Sequence, residues 1–157
     1  MENERIINLF IIEDNALYAA ALKQYLLSGF EKTEHRVVVE TFKTAESCLE
    51  WFRYFPGKDP DIIILDYFLN NQYNDSMNGV NAMFHLKATK PKVQIIFLSG
   101  QDKIEVATEA MRRGAYEYIV KNEQAFQRTL KSAVDCIHQL KLSEPFIQDD
   151  RTKSVSL

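Results

Sequence analysis

Five residues whose side chains can do chemistry stand where apolar runs end: Glu13 and Asp14, Asp66, Ser99 and Lys121. The runs are Ile6 to Ile12 (broken only by Asn8), Ile62 to Leu65, Val93 to Leu98 (broken by Gln94) and Tyr116 to Val120 (broken by Glu117). Ile62 to Leu65, short, continuous and β-branched, suits a parallel strand covered on both faces, and the others read as strands beside it. If all the strands are parallel, the residues that follow them meet on one edge of the sheet, where the crevice of an open α/β sheet lies. Three carboxylates gathered there repel one another in a poorly hydrated cleft and need a compensating charge. A hard divalent cation supplies it, and Mg²⁺ (or Mn²⁺) favours carboxylate and water ligands. Lys121 adds a mobile positive charge and Ser99 a neutral donor. Such a set can hold a phosphoryl group against Asp66, whose carboxylate can attack phosphorus to give an acyl phosphate. No glycine-rich phosphate cradle of the P-loop kind is present, which disfavours direct use of a nucleotide. A plainer alternative is that Asp14 and Ser99 are helix N-caps and that Asp66 opens a polar turn. It explains neither the acid pair nor the lysine.

Helical patterns lie between these runs. Leu17, Ala21, Leu22, Tyr25 and Leu26 recur at helical spacing up to Ser28-Gly29, read as a stop. Arg36 to Thr41 is a β-branched run and the second strand. Thr44 then reads as an N-cap before Ala45, Cys48, Leu49 and Phe52. The stretch from Tyr67 to Asn78 is Asn-rich and reads as a long loop ending at Gly79. Val80, Met83 and Phe84 form a short helix, Ile104, Ala107 and Met111 another. The last helix runs from about Gln124 to Leu142, with Phe126, Leu130, Ala133, Val134, Ile137 and Leu140 inward and Pro145 beyond its end. Five strands alternating with five helices imply an α/β sandwich with a mainly parallel sheet. The pattern alone does not choose the strand order.

Composition narrows the classes. The chain has 157 residues and a formal net charge of −3, which suits one domain and gives no nucleic-acid footprint in this segment. It shows no membrane-spanning stretch and no signal peptide. Cys48 and Cys136 read as buried thiols of a reducing cytoplasm, and His35, His85 and His138 as scattered, with no zinc cluster.

Glu13-Asp14, Asp66 after its apolar strand, Gly79, Ser99-Gly100, Gly114-Ala115 and Tyr118 with Lys121 occur here in order and at element ends. With this set the chain resembles the receiver domain of two-component response regulators over about residues 5 to 142, leaving 143–157 as a tail or the start of a linker. The resemblance implies a flavodoxin-like three-layer sandwich with parallel strands in the order 2-1-3-4-5. It implies a cytoplasmic switch phosphorylated on Asp66 by a sensor histidine kinase or a histidine phosphotransfer protein. It also implies that Asp14, Asp66 and the backbone carbonyl of Phe68 hold the metal, with Glu13 acting through water. Ser99 would be the switch hydroxyl, Tyr118 the aromatic that follows it inward, and Lys121 the phosphate-pairing lysine. Self-catalysed transfer and slow self-dephosphorylation are then expected, with no small-molecule turnover.

By the same resemblance, Phe68 and Gln101 flank the approach of the hydrolytic water. Phe68 cannot orient water and its ring can restrict access, while Gln101 is a poor base. A homodimer through the fourth helix, fifth strand and fifth helix is expected, with Arg112, Arg113 and Glu117 in its charge pattern. The chain departs from the family in two places. The 67–78 loop is longer than usual, and Asn122 stands where the family has a proline in a cis peptide. A non-proline cis bond costs roughly 2.5–4 kcal/mol, so a trans Lys121-Asn122 bond with a rebuilt turn is favoured. These departures keep open a second reading, a receiver-like binding module that is not phosphorylated. No effector signature follows the domain, so either a stand-alone regulator or the front of a longer one fits.

Overall fold

The computed structural model describes residues 4–67 and 79–144. Its elements in chain order are β1 (Ile6–Ile12), α1 (Ala16–Phe30), β2 (Arg36–Phe42), α2 (Ala45–Tyr54), β3 (Ile62–Asp66), α3 (Gly79–Thr89), β4 (Gln94–Ser99), α4 (Ile104–Arg112), β5 (Glu117–Val120) and α5 (Ala125–Ser143). The strands form one parallel sheet in the order β2-β1-β3-β4-β5, as the resemblance implies.

Successive strand side chains point to opposite faces, so each central strand feeds two cores. Leu9, Ile11, Ile62, Ile64, Ile96 and Leu98 pack with Leu22, Leu26 and Phe30 of α1 and with Ala133 and Ile137 of α5. Phe10, Ile12, Ile63, Leu65, Ile95 and Phe97 pack with Cys48 and Phe52 of α2, Met83 and Leu86 of α3 and Ala110 of α4. Both cysteines are buried, and burial pushes each thiol up to about 12, which leaves neither a nucleophile near neutral pH. At the opposite edge from the strand ends, Asp61 accepts the Asn8 N–H at 2.9 Å and pairs with Arg5 at 2.5 Å, and Arg5 also reaches Glu144. That set ties β1, β3 and the end of α5 together. Among the described residues no helix is long and apolar enough to cross a membrane.

Several inward faces differ from the sequence pattern. The buried stripe of α1 is Ala19, Leu22, Leu26 and Phe30, while Leu17 is 83% exposed and Tyr25 is also exposed. The helix runs through Ser28-Gly29 to Phe30. On α3 Phe84 is exposed, and Ala82, Met83 and Leu86 face the core. On α4 Ile104 is 79% exposed and Met111 is exposed, and the buried residue is Ala110. Spacing sets a helical period but not its phase, and these helices carry more apolar residues than one face holds. The histidines are not all scattered. The His35 and His138 Nε2 atoms lie 3.3 Å apart, and burial holds His35 below its ordinary range.

Gly79 is the first residue of α3. Its N–H donates to the Tyr67 carbonyl at 3.1 Å, and a Cβ there would lie 2.6 Å from that oxygen and 2.7 Å from the Tyr67 Cα. Backbone cannot give way as a flexible side chain does. Gly100, in contrast, faces open space. Gly79→Ala is therefore expected to lower stability by about 1–3 kcal/mol, and Gly100→Ala to stay within about 0.5 kcal/mol of the parent. Urea unfolding of the two variants checks this, and equal midpoints would refute the close-approach account.

Candidate functional site

Register builds the site. Ile12 pairs with Leu65, Asp66 with Leu98, and Ser99 with Val120. Glu13 thus leaves β1 beside Asp66, and Lys121 leaves β5 beside the end of β4. Glu13 and Asp66 are buried, Asp14 is half-buried, and carboxylate oxygens of the three lie within 4.8 Å of one another. Lys121 Nζ lies 2.7 Å from Glu13 Oε2 and 3.4 Å from Asp66 Oδ2. Burial by itself would make the ammonium easier to deprotonate. The hydrogen bond to Glu13 and the charges of Asp66 and Glu13 outweigh it and raise the lysine above its ordinary value. Lys121 therefore stays charged.

Glu13 is fixed at three points. Its N–H donates to the Phe42 carbonyl at 2.9 Å, its Oε1 accepts the Asn15 N–H at 3.1 Å, and its Oε2 takes Lys121. Asn15 caps α1 by accepting the Tyr18 N–H at 3.0 Å, and α4 begins after Lys103 without a side-chain cap. Neither Asp14 nor Ser99 is a helix cap, so the capping alternative fails. Three hard oxygen donors beside one ammonium fit a hard divalent cation better than a metal that seeks sulfur or imidazole.

Ser99 is fully buried. Its Oγ accepts the Gln101 N–H at 3.1 Å, and its carbonyl accepts the Lys121 N–H at 2.7 Å. The Tyr118 hydroxyl donates to the Gln101 carbonyl at 3.0 Å, and its ring packs on Tyr67 and Phe97 at 6.0 and 6.5 Å between centroids. Burial pushes the Tyr118 phenol up, and its interaction with Ser99 offsets part of that. The Lys121-Asn122 bond is trans. The turn is rebuilt around Asn122, whose Oδ1 accepts the Gln124 N–H at 3.0 Å and whose carbonyl accepts the Ala125 N–H at 3.1 Å.

The structure thus brings together Glu13, Asp14, Asp66 and Lys121, and beside them Ser99, Gln101 and Tyr118. Phe68, expected to give a metal-binding carbonyl and to screen the water's approach, lies outside the described residues, as does the rest of the 68–78 stretch. The sequence pattern missed Tyr18, whose ring centroid is 4.5 Å from Lys121 Nζ. No local pattern signals it, because the contact joins residues far apart in the chain.

Comparison with known families matches residues 9–135 to the response regulator receiver domain. Regulatory protein LuxO of Vibrio cholerae is 28% identical over 133 residues, covering 83% of this chain and 26% of LuxO. Chemotaxis protein CheY of Listeria monocytogenes is 26% identical over 120 residues, covering 76% of this chain and 90% of CheY. The crystal structure of a response regulator receiver domain protein from Clostridium thermocellum has a TM-score of 0.69 at 21% identity, covering 87% of this chain and 98% of that one, and shows the fold. The chain spans about a quarter of the length of LuxO.

The Glu13–Lys121 pair generates a direct test. Lys121→Met keeps the stem and removes the charge, leaving the carboxylates without their ammonium. In metal-free buffer it is expected to cost about 1–3 kcal/mol, less than a fully buried pair because Lys121 is partly exposed. Adding Glu13→Gln removes one of the like charges and should recover part of that loss. A double-mutant cycle by urea unfolding is expected to show coupling of about 0.5–3 kcal/mol, and strict additivity would dissolve the pair as an energetic unit.

Proposed function

We propose, because this chain belongs to the response regulator receiver domain family, that it is a two-component signalling switch that takes a phosphoryl group onto Asp66. The observation that supports this best is the cluster of Asp66, Glu13, Asp14 and the Lys121 ammonium at the strand ends. The donor is a sensor histidine kinase or a histidine phosphotransfer protein. An Asp66 carboxylate oxygen attacks phosphorus as the phosphorus–nitrogen bond to the donor histidine breaks. Asp14, Asp66 and the Phe68 carbonyl would hold Mg²⁺ or Mn²⁺, with Glu13 acting through water. When bound, the ion neutralises charge on the transferring oxygens. Lys121 pairs with the phosphoryl group from the other side and carries its charge there without any proton transfer. We take residues 5–142 as the switch unit, 143–157 as a tail or linker, and the cytoplasm as its place of work.

Ser99, Gln101 and Tyr118 give the switch a mechanical link. The Gln101 N–H holds the Ser99 Oγ, and the Gln101 carbonyl holds the Tyr118 hydroxyl. When Ser99 turns its hydroxyl to a phosphoryl oxygen, the Gln101 peptide and the Tyr118 ring move with it. That changes the face made by α4, β5 and α5, where Ile104 and Met111 stand exposed. A homodimer or another partner docks there. Arg112 and Arg113 pair with Glu109, and Arg128 with Glu117, on the same face.

Asp66→Asn is expected to abolish Mg²⁺-dependent labelling by a small phosphodonor or a kinase. Persistent labelling of that variant would sink the assignment, and no labelling of the parent would favour the binding-module reading. The acyl phosphate is expected to be long-lived, because Phe68 offers water no hydrogen bond and Gln101 is a poor base. Phe68→Asn should speed decay once the donor is removed with Mg²⁺ present. Unchanged or slower decay would show that the lifetime is set elsewhere.

A further inference from the structure

We propose that Tyr18 is a positioning residue, whose ring holds the Lys121 ammonium against the carboxylates of Glu13 and Asp66. This rests on the reading that Asp66 accepts a phosphoryl group and Lys121 pairs with it. The ammonium is met on two sides by carboxylates, at 2.7 Å from Glu13 and 3.4 Å from Asp66. The Tyr18 ring closes a further side, with its centroid 4.5 Å from Nζ. That is inside the roughly 6 Å over which a ring face attracts a cation.

The ring has its own support. Phe126 of α5 meets it edge-on with centroids 5.3 Å apart, and Tyr25 leans on Phe126 at 5.6 Å. The Tyr18 hydroxyl is buried and makes no hydrogen bond among the described residues. An unpaired buried hydroxyl does not stabilise the fold, so what Tyr18 offers at this place is its ring face. The Lys121 side chain has freedom for the ring to restrict. A lysine side chain is long and flexible, with much rotamer freedom to lose, and the turn after it is Asn122 in a trans bond. With the ring in place the ammonium already points to where phosphoryl oxygens arrive. Without it only the two carboxylates orient the ammonium.

The test uses the full chain with Tyr18→Phe, which keeps the ring, and Tyr18→Leu, which keeps only apolar bulk. In metal-free, unphosphorylated protein the Lys121 Cε protons are expected to show an upfield ring-current shift in NMR spectra of the parent and of Tyr18→Phe, and to lose it in Tyr18→Leu. With Mg²⁺ and a small phosphodonor, Tyr18→Leu should label more slowly by roughly two- to tenfold, the size of an exposed to partly desolvated ring–cation contact, while Tyr18→Phe labels like the parent. A shift that persists in Tyr18→Leu, equal labelling rates for all three proteins, or a Tyr18→Phe loss as large as that of Tyr18→Leu would each overturn the proposal. If Tyr18→Leu fails to fold, Phe126→Leu removes the ring's support instead and should weaken both readouts; an unchanged shift in that variant also overturns the proposal. A parent that shows the ring-current shift but takes no label overturns the phosphoacceptor reading and leaves the clamp standing.

Discussion

Three carboxylates within 4.8 Å of one another repel, and the rest of the site is arranged around that repulsion. One ammonium, Lys121, answers part of it at 2.7 and 3.4 Å. If all three acids are ionised, two negative charges remain over, which is the charge one divalent ion brings. The constraint also explains why Glu13 is so closely held. A buried carboxylate with both oxygens engaged and its own N–H bonded to Phe42 cannot swing away to relieve the repulsion.

Such a site needs a stiff base. The strands that deliver it are covered on both faces, and their ends inherit their places from the register of a parallel sheet. The fourth helix is different in kind. Ala110 is its buried residue, and large apolar side chains at both of its ends stand in solvent. Elements with few buried contacts open and shift at low cost. The Ser99–Gln101–Tyr118 hydrogen bonds run between these two parts, from the end of β4 through Gln101, which precedes α4, to β5.

Strands and strand-end chemistry were legible because covered parallel strands leave continuous apolar runs, and the polar residue that ends each run is easy to see. The strand order was legible only through the family likeness. Helix phase was not legible where apolar residues exceed one face. Leu17, Phe84, Ile104 and Met111 fit the helical period and still face solvent. Gly79 looked like punctuation and is instead a point of backbone contact, which no local pattern reveals. Asn15 rather than Asp14 caps α1, since two adjacent candidates separate only once one of them is committed to the acidic cluster. Tyr18 and the His35–His138 contact depend on tertiary neighbours far away in sequence.

The Tyr67–Gly79 hydrogen bond joins two residues that flank the long stretch between β3 and α3. A chain pinned where it leaves and where it returns can change length without pulling on either anchor. Closing a flexible loop costs more as it grows, but only as the logarithm of its length, about 0.6 kcal/mol per doubling. Asp66 and α3 are thus insulated from what is inserted between them. That junction sets where the chain leaves β3 and where it enters α3, whatever the length of the stretch between them.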